Sequence, residues 1–254
     1  SPVTACSSST NAIGEAYRAI KHGYEDIIFA GGSEASITEL GVGGFTSMKA
    51  LSTSKDSTRA SIPFDKDRNG FVMGEGAGIL VLESFEHATK RGANILAEIV
   101  GYATNCDAFH ITSPAPNGEF AALAMKNAIY DADISPENID YINAHGTSKE
   151  LNDKFETSAI KKVFKNRNVK VSSTKSQIGH LLGASGAVET IFSICAMNEN
   201  FLPPLVNYKN KDEDCDLNFA LEPEDYNINY FIKNSLGFGG HNASIVIKRY
   251  SDDN

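Results

Sequence analysis

The stretch TACSSSTNAIGEAYRAIKHGYEDIIFAGG, residues 4–32, decides the fold class of this chain. Its apolar residues recur at helical spacing, which predicts a helix over residues 7–22 that ends before Gly23. The apolar run at residues 26–32 predicts a short strand of the kind buried in a parallel sheet. A small-residue helix followed by such a strand is typical of a layered α/β protein.

Helical and strand patterns continue to alternate along the rest of the chain. Further strands are predicted at residues 78–82, 95–103, 139–144, 169–172, 232–236 and 243–248, and further helices at residues 85–91, 117–131, 148–164 and 181–198. Residues 33–76 are rich in Gly, Ser and Thr and are predicted to form long functional loops. The alternation indicates an α/β fold, and no Pro-rich or charge-rich linker divides it.

The composition argues against several classes of function. The 254 residues include 23 Lys and Arg against 32 Asp and Glu, and this net charge of -9 disfavours a nucleic-acid binder. No apolar stretch approaches the roughly 20 residues of a membrane span, so we expect no membrane association. The 4 Cys show no CxxC spacing, which argues against a disulfide scaffold or a structural zinc site and favours a reducing compartment. No phosphate-binding glycine motif occurs, so nucleotide binding is unsupported.

Cys6 is the strongest candidate nucleophile, although a buried structural thiol is the commoner role for a cysteine. It stands at the start of the first predicted helix, where the positive end of the helix dipole would lower the pKa of its thiol. His145 follows a predicted strand and precedes a glycine, a position typical of active-site loops, although it could equally be a core histidine.

Three further features could serve the same chemistry. His180 is predicted to open a helix whose dipole would keep its imidazole neutral, as a hydrogen-bond donor. Lys175 would ordinarily be a surface charge, and the turn at residues 237–240 could aim a backbone N–H. One Cys, two His and one Lys, widely separated in sequence, suit acyl-thioester chemistry.

A weak internal repeat accompanies these residues. Glu15 follows Cys6 by nine residues, and Glu189 follows His180 by nine residues. Chance in helices rich in small residues is one explanation. The other is a duplicated half-domain in which each copy places a polar residue at a helix N-terminus.

Six motifs together resemble the elongating β-ketoacyl-acyl-carrier-protein synthases of type II fatty acid synthesis, of the ketoacyl synthase II kind. They are TACSSSTNAIGEA (4–16), GVGGF (41–45), PFDKDRNGFVMGEGAG (63–78), NAHGTS (143–148), SSTKSQIGHLLGASGAVE (172–189) and NSLGFGGHNAS (234–244). The resemblance implies a thiolase-like α-β-α-β-α fold of two related halves, and a homodimer. Since the family's nucleophile lies near the end of the first half, we interpret residues 1–94 as the end of that half. Residues 95–254 would be the C-terminal half, and the chain would be a C-terminal fragment that does not fold alone.

The resemblance also implies an acyltransferase mechanism, the decarboxylative Claisen condensation of fatty acid elongation. Cys6 would carry the acyl group, while His145 and His180 would hold the malonyl thioester and stabilise its enolate. Lys175 would be a supporting cation paired with Glu189. The other implied roles are the oxyanion hole for the N–H groups of Cys6 and Phe238, gating for Phe45 and Phe238, and contact with pantetheine for Thr112, Ser113 and Thr147.

The implied partner is an acyl carrier protein whose phosphopantetheine holds the substrates, with neither a metal nor a bound cofactor. Lys49 is a candidate contact for this acidic carrier. Lys149 stands where the family usually has a second Thr, which puts one pantetheine contact in doubt; Lys149 could meet the carrier phosphate instead. The implied compartment is the cytoplasm or the stroma of a plastid-type organelle.

Other functions fit the same residues less well. A thiolase uses two Cys and one His, and the chain-length-factor type of subunit typically lacks the nucleophile that Cys6 provides here. A Cys/His hydrolase would need only one of the two histidines. A Cys-His-His zinc site would consume the thiolate.

Overall fold

Helices and strands alternate along residues 1–165 and 167–251, which the computed structural model describes. The helices are α1 (Ser8–Lys21), α2 (Glu39–Ser47), α3 (Phe85–Lys90), α4 (Glu119–Asp131), α5 (Glu150–Phe164), α6 (Lys175–Ile178) and α7 (Ser185–Asn198). The strands are β1 (Ile27–Glu34), β2 (Gly76–Glu83), β3 (Ala97–Cys106), β4 (Tyr141–Asn143), β5 (Lys170–Ser172), β6 (Phe201–Leu202), β7 (Asn218–Phe219), β8 (Glu224–Asp225), β9 (Tyr230–Gly237) and β10 (His241–Arg249). In this part of the chain no helix is long and apolar enough to cross a membrane.

A mixed sheet with the strand order β3-β10-β9-β4-β5-β7 forms the centre of the structure. Strands β3, β10 and β9 pair antiparallel, whereas β9, β4, β5 and β7 pair parallel. Neighbouring residues of β9 point to opposite faces, so Ile232 joins one apolar core and Phe231 joins the other. Both faces of the sheet are therefore covered.

Helices α4 and α5 pack on one face of this sheet, and α1 and α7 pack on the other. The contact between α1 and α7 is close enough to require glycine. A Cβ at Gly186 would lie 2.0 Å from Thr10 Oγ1 and 2.7 Å from the Thr10 backbone nitrogen. Ser9 Oγ accepts a hydrogen bond from the Ala187 N–H at 3.0 Å, which fixes the register of the two helices.

Strands β1 and β2 form a fourth layer on the far side of α1 and α7, where Ala30 and Leu82 join the shared core. The prediction that β1 is a buried parallel strand is wrong. It pairs antiparallel with β2, and its outer face is open, since Phe29 is 73% exposed. An apolar run does not show whether the neighbouring strand runs parallel or antiparallel.

The sequence predicted long loops over residues 33–76. The structure instead places helix α2 within this segment. Thr38 caps this helix by accepting a hydrogen bond from the Gly41 N–H at 3.1 Å. Its glycines disguise the helix in the sequence, since glycine has a low helix propensity. The other predicted helices and strands are confirmed to within a few residues at their ends.

Candidate active site

Cys6 lies in a single 3-10 turn, Ala5–Ser7, that leads directly into α1. Ala5 adopts a left-handed conformation with φ 52°, which turns the chain sharply into the helix. Gly237 lies against this turn, and a Cβ there would come within 2.6 Å of the Thr4 carbonyl oxygen. This close approach brings the next residue, Phe238, beside the nucleophile.

Burial dominates the ionisation of Cys6. It raises the pKa of the thiol to about 11, so the predicted lowering of this pKa at a helix start is wrong. The backbone N–H groups of Phe238 and Cys6 act in the opposite direction by hydrogen bonding to the sulfur, and so do the charges of Lys175 and Lys149. At rest the sulfur is a thiol, with two amide donors directed at it.

His145 is buried at the end of β4, and a carboxylate fixes its backbone. Glu156 Oε1 accepts from the His145 N–H at 2.7 Å, and Glu156 Oε2 accepts from the Gly146 N–H at 2.8 Å. Gly146 has φ 31°, and a Cβ there would lie 2.7 Å from the Ser173 Cβ, so glycine is required. Burial raises the pKa of Glu156 to about 7.

A second buried carboxylate holds the rest of this loop. Asp153 accepts from the Thr147 N–H at 3.0 Å and from the Ser148 N–H at 3.1 Å. Thr147 Oγ1 is buried and has no hydrogen-bond partner among the described residues, which leaves it available to a ligand. Neither carboxylate could be recognised from the sequence, because acidic residues in the first turns of a helix usually lie at the surface.

His180 does not open a helix, contrary to prediction. It pairs with Met73 in an isolated bridge, its N–H donates to the Val72 carbonyl at 2.7 Å, and α7 begins only at Ser185. Its Nδ1 lies 2.9 Å from Ser185 Oγ. Phe71, to which the sequence assigned no role, packs edge-on against the His180 ring with the ring centroids 5.2 Å apart.

Cys6, His145 and His180 meet at one point. The Cys6 sulfur and a ring nitrogen of each histidine all lie within 4.8 Å of one another. The pKa of each imidazole is well below its usual value, first because of burial and next because of the Lys175 charge. Both histidines are therefore neutral, although burial rather than a helix dipole is the main cause. This spacing lets an imidazole accept the thiol proton, and it would also let the three groups share a metal ion.

Lys175 is fully buried and is not a surface charge. Its Nζ lies 2.6 Å from Glu189 Oε1, so the predicted pairing is present. A second buried lysine, Lys233 of β9, lies 2.7 Å from Glu189 Oε2. Lys233 could not be recognised from the sequence, because nothing in the stretch around it distinguishes a buried lysine from an exposed one.

A cavity of about 330 Å³ opens onto the thiol. The predicted residues on its wall are Cys6, Phe45, Lys49, Thr112, Ser113, His145, Thr147, Lys149, His180 and Phe238. The loop holding Thr112 and Ser113 is shaped by His110 Nδ1, which accepts from both backbone N–H groups at 3.1 Å. Lys175 and Glu189 lie behind the wall, so they act through other groups.

Aromatic and cationic side chains surround the entrance to the thiol. The Phe45 ring packs edge-on against Phe71, with the ring centroids 5.3 Å apart. Lys149 Nζ lies 4.8 Å from the centroid of the Phe238 ring, a cation–π distance. Lys149, which stands where the family usually has Thr, thus contacts the side chain of Phe238. The backbone N–H of Phe238 points at Cys6.

The equal spacing of Glu15 and Glu189 does not mark equivalent residues, but a similar turn precedes each of the two helices. Ala5 (φ 52°) and Leu182 (φ 47°) each adopt a left-handed conformation three residues before a helix begins. The two glutamates are not equivalent, because Glu15 is exposed and pairs with Arg18, whereas Glu189 is fully buried. The repeated feature is therefore the strained turn and the helix that follows it.

Comparison with known proteins gives consistent matches. Residues 1–88 match the profile of the β-ketoacyl synthase N-terminal domain, and residues 96–209 match that of the C-terminal domain. The 3-oxoacyl-[acyl-carrier-protein] synthase 2 of Staphylococcus aureus (strain COL) is 50% identical over 98% of this chain and 61% of its own length. The protein of the same name from Synechocystis sp. is 49% identical over 98% of this chain and 61% of its own length.

Solved structures agree. A ketosynthase solved in complex with its type II PKS acyl-carrier protein has a TM-score of 0.95 and 38% identity, and covers 98% of this chain and 62% of its own. A β-ketoacyl synthase from Burkholderia phymatum STM815 has a TM-score of 0.93 and 39% identity, over 98% of this chain and 60% of its own. The chain thus spans about three fifths of these relatives. These similarities confirm the predicted thiolase-like α/β fold.

Proposed function

This chain belongs to the β-ketoacyl synthase family, and we propose that it carries the site at which the full-length protein condenses an acyl group with a malonyl group. Both groups would be delivered as thioesters of an acyl carrier protein. The observation that carries the proposal is the convergence of the Cys6 sulfur with one nitrogen of each of two neutral histidines, within 4.8 Å.

In the first step the Cys6 sulfur attacks the acyl thioester and displaces the pantetheine thiol. The raised pKa of Cys6 means that the sulfur must lose a proton as it attacks. The departing pantetheine sulfur takes up a proton in its turn, so this step balances without either imidazole acting as the base. The N–H groups of Cys6 and Phe238 would receive the negative charge that develops on the thioester oxygen, which is the work of an oxyanion hole.

In the second step malonyl thioester loses carbon dioxide and leaves an enolate. His145 and His180 would donate hydrogen bonds to its oxygen, which requires that both rings stay neutral and carry a proton on the facing nitrogen. In the third step the enolate carbon attacks the acyl carbonyl and the bond to Cys6 breaks. The Cys6 thiolate then takes up a proton from solvent, and the β-ketoacyl product remains on the carrier.

The cavity wall supports a matching assignment of binding roles. Thr112, Ser113 and Thr147 would line the pantetheine arm, and the unpartnered Thr147 Oγ1 is a hydrogen-bonding group available to it. Phe45 and Phe238 would gate the thiol. Lys49 and Lys149 supply cations on the wall of an otherwise acidic protein, where an acidic carrier and its phosphate would approach. The chemistry needs no bound cofactor.

Three broader proposals accompany this one. We propose a division into halves near residue 95, which the ends of the two family profiles at residues 88 and 96 support. We propose a homodimer, which the resemblance to the family implies. We propose the cytoplasm, or a plastid-type stroma, and the four free thiols fit such a reducing compartment.

The test uses the full-length protein with an acyl-carrier thioester and malonyl-carrier. We expect intact-mass analysis to show one acyl group on the peptide containing Cys6, and malonyl-carrier to release carbon dioxide. If neither occurs, the synthase proposal fails. Stoichiometric zinc that is lost together in Cys6→Ala and His180→Ala would instead support a metal site at the same three residues.

A further inference from the structure

Behind His145 and His180 lies a buried cluster of three charged side chains, which we call the charge triad. Glu189 stands at its centre, with Lys175 Nζ 2.6 Å from one carboxylate oxygen and Lys233 Nζ 2.7 Å from the other. None of the three side chains is more than 1% exposed. They come from three different elements, α6, α7 and β9.

With two lysines and one glutamate, the charge triad has one positive charge that no carboxylate in the triad balances. Lys175 and Glu189 alone would already be a neutral buried pair, so Lys233 adds an uncompensated cation. Burying such a charge is costly, and an apolar side chain of similar volume often serves packing as well or better. The preceding residues of β9, Phe231 and Ile232, are apolar and fully buried, so packing alone would favour an apolar residue here too.

Lys233 also lies between the two histidines and the strand that leads to the Phe238 turn. Besides Glu189, its Nζ donates to the carbonyl of Asn234, in the strand that leads to the Phe238 turn. Its charge acts on both histidines together with those of Lys175 and Lys149. The other titratable groups that face the triad or the histidines are Glu156 on α5, Tyr141 on β4 and the Cys6 thiol.

We propose that Lys233 is a positioning residue for the decarboxylation step, resting on the function proposed above. Its excess positive charge behind His145 and His180 favours the negative charge that develops on the malonyl-derived enolate. Its contact with Glu189 also holds the carboxylate so that Lys175 stays behind the same two rings. Acyl transfer onto Cys6 depends on the backbone N–H groups of Cys6 and Phe238. The charge of Lys233 therefore affects acyl transfer less than it affects decarboxylation.

The test is Lys233→Met in the full-length protein, with carbon dioxide release and acyl loading measured from pH 5 to 9. We expect decarboxylation to fall by about tenfold, the scale of removing one nearby unit charge, while acyl loading changes less than about threefold. Removing a positive charge raises the pKa of both imidazoles. The acid limb of the decarboxylation profile, where neutral histidine is lost, should therefore move to higher pH.

Lys248→Met is the matched control. Lys248 lies on the neighbouring strand β10, half-exposed, with its Nζ 3.7 Å from Glu98. We expect this variant to leave both half-reactions and the acid limb unchanged.

The remaining outcomes would refute either the role of Lys233 or the proposed function on which it rests. An unshifted acid limb with normal decarboxylation in Lys233→Met overturns the proposal, and so does an equal loss of both half-reactions at every pH. Lys233→Gln, which keeps a hydrogen-bonding side chain, is the second variant; if neither variant folds, Lys233 serves stability alone. A wild-type protein that lacks both half-reactions refutes the proposed function instead.

Discussion

Separating the two half-reactions is the most demanding test of the site. Cys6→Ala removes only the sulfur atom, and it leaves both histidines and their supports in place. We expect acyl loading and condensation to be abolished in this variant, while malonyl decarboxylation stays measurable. His180→Ala should do the opposite, because the sulfur and the two amides directed at it survive.

The size of the His180 effect follows from its surroundings. Losing one positioned oxyanion donor costs about 10²- to 10³-fold in rate, or about 3–4 kcal/mol of transition-state stabilisation. The His180 ring also packs edge-on against Phe71 and against His145, with centroid distances of 5.2 Å and 5.3 Å. Removing the His180 ring leaves a space that would loosen His145. The decarboxylation rate should therefore fall by at least about 10²-fold.

The assay measures carbon dioxide release from malonyl-carrier beside acyl-enzyme mass, for each variant. His22→Ala is the control, because His22 is exposed at the end of α1 and touches no part of the cavity. If His180→Ala blocks acyl loading yet decarboxylates normally, the role assigned to His180 is wrong. If Cys6→Ala loses decarboxylation as completely as His180→Ala does, the division of labour between sulfur and histidines is wrong.

Three further predictions follow from single features. Because burial raises the pKa of Cys6 to about 11, single-turnover acyl loading should speed up steadily from pH 6 to 9; a plateau below pH 8 would contradict this. Gly186→Ala should lower the free energy of unfolding by about 2 kcal/mol, since its Cβ would collide with Thr10, whereas Gly43→Ala meets nothing within 4 Å and should not lower the melting temperature. Lys149→Met should raise KM for the carrier about tenfold, the scale of a charge-assisted hydrogen bond, with kcat little changed; an unaltered KM would exclude contact with the carrier phosphate.

Local patterns in the sequence predicted most of the secondary structure and the wall of the cavity. Helical and strand spacing are properties of neighbouring residues, so α1, α4, α5 and the central strands could be predicted directly. The motifs around Cys6, His145 and His180 likewise identified groups that do line one cavity.

What could not be predicted depends on contacts between distant segments. Burial of Cys6 outweighs the local effect of its helix, and only the folded chain contains that burial. Glu156 is an ordinary helical glutamate in the sequence, but in the structure it holds two backbone N–H groups of the His145 loop. Lys233 acquires its importance only where β9 passes Glu189 of another element.

The contact between α1 and α7 also determines when reactivity arises during folding. The turn before α1 carries Cys6, His180 precedes α7, and the hydrogen bond that joins the helices links residues 178 positions apart. The shielded thiol, its amide donors and the paired imidazoles are therefore brought together only when α1 and α7 dock. A nascent or partly unfolded chain has only a solvated thiol with no donors aligned on it. The acyl loading proposed for the full-length protein should then appear together with complete tertiary structure, so that an unfinished chain does not trap acyl groups.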